Sequence, residues 1–205
     1  MKSFKRAVWV CAAAVLSACG GPEVAEVEDV DAHLASLPSA LTQGTSRGCT
    51  FNIFYFQRPG VLPPVYDIRL NRAASATCAW PQASLLLGSS NNYAPRLSLA
   101  ANDLGVAVSY TFKNSPSGSS GSLLSLKHVD PETMTAVRNE GISAGMFGSG
   151  SIYSGDLAIL ADGTTLEVRG TKSGAISGET GSGSNYIANY ADFFTSTTPR
   201  SVLAY

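Results

Sequence analysis

The chain has 205 residues, with 15 Asp and Glu against 14 Lys and Arg, two histidines, four cysteines and a formal net charge of −1. A balance this even gives no basic footprint for nucleic acid. Two histidines also leave little from which to build a zinc site or a serine-type triad.

The N-terminus carries Lys2, Lys5 and Arg6, then an apolar run from Ala7 to Leu16, then the small residues Ser17 and Ala18. This is the layout of a secretory signal peptide over 1–18, too short for a permanent membrane span. Cys19 follows at once. Leu16-Ser17-Ala18-Cys19 resembles the lipobox of bacterial lipoproteins. The resemblance implies cleavage before Cys19, a diacylglycerol thioether on its sulfur and an acylated amine. Two or three acyl chains, at roughly 0.8 kcal/mol per buried CH₂, exceed what stable membrane attachment requires. The plainer alternative is a secretory signal with an incidental cysteine, which would release a soluble protein. In that family's sorting rule an Asp after the lipidated cysteine retains the protein at the inner membrane. Gly20 stands there instead, which implies lipid anchoring at the outer membrane, on its periplasmic face or at the cell surface.

Residues 19–48 read as a lipidated acidic tether. Positions 20–48 hold Glu23, Glu26, Glu28, Asp29 and Asp31 against the single base Arg47, a charge that would not adhere to anionic lipid. Val24, Val27, Val30, Leu34, Leu37 and Leu41 recur at helical spacing, Pro22 suits a first turn and Pro38 a stop, so a short helix over 23–36 is one reading. A disordered spacer is the other, because short isolated helices are marginal in water. Of the four cysteines, Cys11 falls in the predicted signal peptide and Cys19 is the lipidation site that the resemblance implies. Cys49 and Cys78 remain, and an even pair in an exported protein predicts a disulfide. Two buried thiols or a metal site are the alternatives. A metal would want further ligands, and neither His33 nor His128 is near the pair in sequence, so no metal and no cofactor is predicted.

From Cys49 the grammar becomes short β-prone runs divided by Gly, Ser, Asn and Pro. The runs are 51–57, 65–71, 76–80, 84–87, 96–100, 106–113, 123–129, 155–160, 165–169, 186–194 and 201–205. In the second, Tyr66, Ile68 and Leu70 share one face and Asp67, Arg69 and Asn71 the other. Turns are predicted at Asn102-Asp103 and Asp162-Gly163. Polar loops at 114–122 and 173–185 read as mobile segments and not as sites. No long helical period is present. Residues 49–205 are therefore predicted to be an all-β domain, an antiparallel sandwich or an open, blade-like stack of sheets.

An internal repeat favours the stack. Leu97-Ser-Leu-Ala-Ala-Asn and Val106-Ala-Val match Leu157-Ala-Ile-Leu-Ala-Asp and Leu166-Glu-Val at an offset of 60, while Asp130, Thr133, Thr135 and Arg138 match Asp192, Thr195, Thr197 and Arg200 at 62. These units resemble β-propeller blades, and 49–87 would be a third, more diverged one. Three blades are fewer than a closed propeller needs, typically four to eight. A ring assembled from several chains is a remoter alternative.

No catalytic residue is predicted. His128 stands where the second repeat has Tyr190, which reads as structural. Asp156, Asp162 and Glu167 occupy strand edges or turns, where acids are expected in any case. Arg138 and Arg200 recur after Thr-x-Thr and would bind an anion or sugar, or else pair with nearby acids. Tyr93, Phe147 and Tyr153 would be the aromatics to stack on a glycan. Trp80 reads as packing over the disulfide. Two functions stay open: a lipid-anchored envelope protein that binds, adheres or supports without catalysis, or an envelope hydrolase of glycan or wall. The predicted partners are the membrane, through lipid, and an envelope protein or glycan; nucleic acid is excluded. Signal, tether and β domain together resemble envelope lipoproteins of gliding soil bacteria, which implies surface contact or adhesion.

Overall fold

The computed structural model describes residues 42–145 and 149–205. The signal peptide, Cys19, His33, Phe147 and the helix read over 23–36 lie outside the described residues. Every regular element described is a strand, in three sheets. Sheet 1 is an antiparallel meander of β1 (Gln43–Ser46), β2 (Cys49–Gln57), β3 (Val65–Arg72) and β4 (Ala83–Asn91). Sheet 2 repeats it with β5 (Leu97–Asn102), β6 (Gly105–Phe112), β7 (Leu123–Val129) and β8 (Ala136–Ile142). In sheet 3, β9 (Ser151–Ile152) is a marginal strand on the end of β11 (Leu166–Ser173). Its path runs from β10 (Asp156–Ile159) through β11 and β13 (Asn185–Tyr190) to β14 (Ser201–Ala204), with β12 (Glu179–Gly181) parallel to β14 at the edge.

The domain is thus all-β, built from mostly antiparallel sheets that do not close into a barrel. Sheet 2 lies in the middle, and its β6 is buried along seven of eight positions. Val106, Val108 and Tyr110 pack with Phe51, Ile53, Ile68 and Leu70 of sheet 1. From the other face Ala107, with Leu124, Leu126 and Ile142, packs with Leu166, Val168, Tyr186 and Tyr190 of sheet 3. A strand buried on both faces loses the exposed polar alternation of a half-buried one, which is why this run carries no charge and even its Ser109 and Thr111 are buried. The sheets approach most closely at their first strands, β1, β5 and β10.

Each interface is also tied by an arginine. Arg72 of sheet 1 donates through Nη1 to the carbonyls of Pro131 and Glu132, in the turn between β7 and β8. Arg138 of β8 does the same one sheet on, donating to the carbonyls of Phe193 and Ser196 in the turn between β13 and β14. Hydrogen bonds to a charged donor are stronger than neutral ones, and both guanidiniums are shielded from water.

Three local features differ from the sequence reading. The first sheet begins at Gln43, inside the stretch read as tether. Arg47 and Gly48, with φ of 47° and 77°, form the two-residue turn that folds β1 onto β2. A Cβ at Gly48 would strike the Thr77 carbonyl, and Thr77 Oγ1 donates to Gly48 O at 2.7 Å. Second, Ala76–Trp80 forms no strand; it is a bent loop that carries Cys78 to Cys49, and the two are disulfide-bonded. Third, 173–185 is not a featureless loop. It contains β12, and Glu179 pairs with the buried Lys172 at 3.1 Å.

The repeat corresponds to real strands, with one change of register. At an offset of 60, β5 and β6 fall on β10 and β11, the first two strands of their sheets. In the third strands, however, Val129 faces Val106 and Tyr190 faces Leu166, an offset of 61 rather than 62. Tyr190 therefore takes the place of Val129, and His128 corresponds to Asn189. A shift of one residue moves a side chain to the other face of the sheet.

Candidate functional site

That shift brings polar side chains of both sheets to one cleft between sheets 2 and 3. His128, Arg138, Glu140 and Ile142 line the face of sheet 2 turned toward sheet 3, because His128 pairs with Arg138 and Leu126 with Glu140. Tyr190 points back from β13 into the same interface. Continuing the β13–β14 register one step beyond Asn189 and Ser201 puts Arg200 opposite Tyr190. Arg138 and Arg200, which the repeat aligns as equivalents, therefore meet across one interface.

Two hollows share Arg138 and Thr197. One, of about 440 Å³, is lined by His128, Val137, Phe193, Phe194 and Thr195–Thr197. The other, of about 360 Å³, is lined by Glu140, Ser177, Gly178, Tyr190 and 197–200. Ser177 and Gly178 belong to the segment read from sequence as carrying no site residues. Folding around β12 brings them to the cleft.

Arg138 is the structural member. Its Nε donates to Glu140 Oε1 at 3.0 Å, Nη1 serves two carbonyls, and its guanidinium lies 4.7 Å from the Phe193 ring centroid. Arg200 is differently placed: Nη1 donates to Gly141 O at 3.2 Å, while its Nε is buried without an acceptor among the described residues. The Tyr190 hydroxyl is also buried and has no partner among those residues. Burial pushes the Tyr190 phenol up from its ordinary value, partly offset by the Arg200 guanidinium beside it. The two groups lie close enough for Arg200 to act on the phenol as a neighbouring donor, but among the described residues neither Arg200 Nε nor the Tyr190 hydroxyl has a partner at full hydrogen-bond geometry.

His128 is not arranged as a catalytic base. Its ring packs 5.1 Å from Phe194 and 6.1 Å from Phe193, centroid to centroid, and is 8% exposed. A Cβ at Gly105 would run into the imidazole and into Phe194, so only glycine leaves it room. Burial lowers its pKa, favouring the neutral ring. Neighbouring Asp130 accepts from the Thr133 and Glu132 amides and the Thr133 hydroxyl, which holds its carboxyl below the usual range. Asp162 caps the β10–β11 turn in the same way through Thr164 and Thr165.

The remaining sequence candidates are scattered. Asp156 and Glu167 lie on the outer face of sheet 3, flanking Arg169: Asp156 pairs with Arg169 across strands, and Arg169 Nε donates to Glu167. Burial raises the Asp156 pKa, with Arg96 opposing. Tyr93 is half-buried under Lys113, 5.8 Å from its ring centroid. Tyr153 is exposed and donates to Ser173 Oγ at 3.1 Å. Trp80 packs at the edge of the core that holds Cys49, beneath the Arg72 guanidinium. Among the described residues no cluster of His, Cys, Asp and Glu has the makings of a metal site. Comparison with protein-family models, curated proteins and solved structures finds no significant match.

Proposed function

We propose that this chain is a lipid-anchored cell-envelope protein whose β domain binds a polar partner without transforming it. The lipobox-like Cys19 and the exported disulfide support the location, and Gly20 favours the outer membrane. The observation that carries the binding role is the cleft between sheets 2 and 3. It gathers buried hydrogen-bond donors that have no partner among the described residues, beside a histidine enclosed by aromatic rings. A recognition site presents polar groups in this way, whereas acyl or glycosyl transfer wants a base within reach of a nucleophile or a second carboxylate.

Membrane fractionation of parent and Cys19→Ala chains tests this reading. The parent partitions into detergent, and the variant stays unprocessed or enters the soluble fraction, with loss of the cellular phenotype. Equal partitioning of the two would refute the anchor. A hydrolase of glycan or wall is the second reading, favoured by one observation: Asp156 and Glu167 share the outer face of sheet 3 beside Arg169.

A further inference from the structure

We infer that the hollow between β8 and the start of β14 binds the carboxylate of an acidic saccharide through Arg200 and Tyr190. The assignment rests on the domain being a binding module and names the ligand chemistry of that same cleft. Among the described residues Arg200 has no carboxylate partner, since the four ion pairs join Arg58 to Asp67, Arg138 to Glu140, Arg169 to Glu167 and Lys172 to Glu179. Its Nε and the hydroxyl of Tyr190, a residue 1% exposed, are both buried without a hydrogen-bond partner. A buried donor left unpaired is costly, and a buried charge left unpaired is more so. Glu140 makes its ion pair with Arg138, through Oε1 at 3.0 Å, and none with Arg200.

Arg138, Arg200 and Glu140 leave the hollow one positive charge in excess. A carboxylate supplies one negative charge and two acceptor oxygens, enough for the phenol and the guanidinium together. A phosphate monoester brings close to two charges and overshoots, and a neutral sugar leaves Arg200 uncompensated. The other polar lining is Ser177, Thr197 and Thr198, whose hydroxyls both donate and accept, as the hydroxyls of a saccharide do. The volume of about 360 Å³ lies at the small end of ligand sites, suited to one sugar ring rather than a polymer segment.

Calorimetric titration of the purified full chain with sodium D-glucuronate, D-glucose, acetate and inorganic phosphate at constant ionic strength tests the assignment. Glucuronate should bind at least tenfold more tightly than acetate or phosphate, with no measurable heat from glucose. Arg200→Gln and Tyr190→Phe should each weaken glucuronate at least tenfold while leaving the thermal midpoint of the free protein unchanged or higher, because each removes an unsatisfied donor. Absence of glucuronate binding, acetate or phosphate binding as tightly, or full affinity in both variants would each overturn the site. If Cys19→Ala still abolishes the phenotype, such a failure refutes this ligand and leaves the anchored binding module standing. If Cys19→Ala changes neither partitioning nor phenotype, it is the broader reading that fails.

Discussion

Burial between Phe193 and Phe194 disfavours a charge on the His128 imidazole more than Asp130 and the Leu104 backbone favour it, and Arg138 repels a second cation, so its pKa lies below the ordinary 6.5. In the unfolded chain the same ring takes up a proton as the pH falls through that value. The unfolded state therefore binds more protons than the native one below about 6.5, and stability declines from there toward the folded pKa. Asp130 and Asp162 also lose stabilisation in acid, but only below their ordinary 3.8, since their folded values are depressed. Urea unfolding at pH 7.5 and pH 5 separates the two ranges. The parent should lose stability between them, and His128→Gln should show a smaller loss; an identical pH dependence in the variant would show that His128 is not the group responsible.

Among the elements, those that were legible in sequence are the half-buried or doubly buried strands. β7 matches its predicted run to the residue, and β3 alternates as predicted from Ile68 to Asn71, while Asp67 is buried beside a half-buried Tyr66. β8 went unseen because only Arg138 and Ile142 are buried in it, so no apolar period marks it. The loop at 76–80 misled in the opposite sense, being apolar enough for a strand while held in place by a covalent bond. That bond was legible from the cysteine count and the predicted signal peptide, and it closes a separation of 29 residues that ties β2 to the loop before β4. In the chain-entropy picture such a closure contributes about 3 kcal/mol, and removing a native disulfide from a small exported domain costs about 2–5 kcal/mol. Cys78→Ser should destabilise the full chain by that amount in urea, with two-state unfolding retained. Mass analysis of the unreduced parent should find neither Cys49 nor Cys78 open to alkylation. The site was half legible by comparison. The recurrence of Arg138 and Arg200 was visible, but their convergence depends on a one-residue change of register in the third strands, which only pairing partners reveal.

At the scale of the whole domain, stacking assigns different chemistry to different faces. Sheet 2 is covered on both sides, so its polar residues must find partners inside the molecule: Ser109 Oγ reaches the Gly155 carbonyl, Ser98 Oγ accepts from the Leu157 amide, and Arg138 reaches across to sheet 3. The cleft lies where that pairing is incomplete. The outer face of sheet 3 has no sheet against it among the described residues, and its acids answer a different demand. Glu167 is ion-paired to Arg169, and Asp156 holds its proton more readily than a free carboxyl because burial disfavours its charge. Here the hydrolase reading finds two of its candidate carboxyl groups on one face. A catalytic acid or base contributes about 10²-fold or more to rate. Asp156→Asn and Glu167→Gln should each leave the cellular phenotype intact if the domain only binds, with folding verified by an unchanged far-UV spectrum. Turnover of a glycan or wall fragment by the purified chain, abolished by either substitution, would move the function from the cleft between the sheets to this outer face.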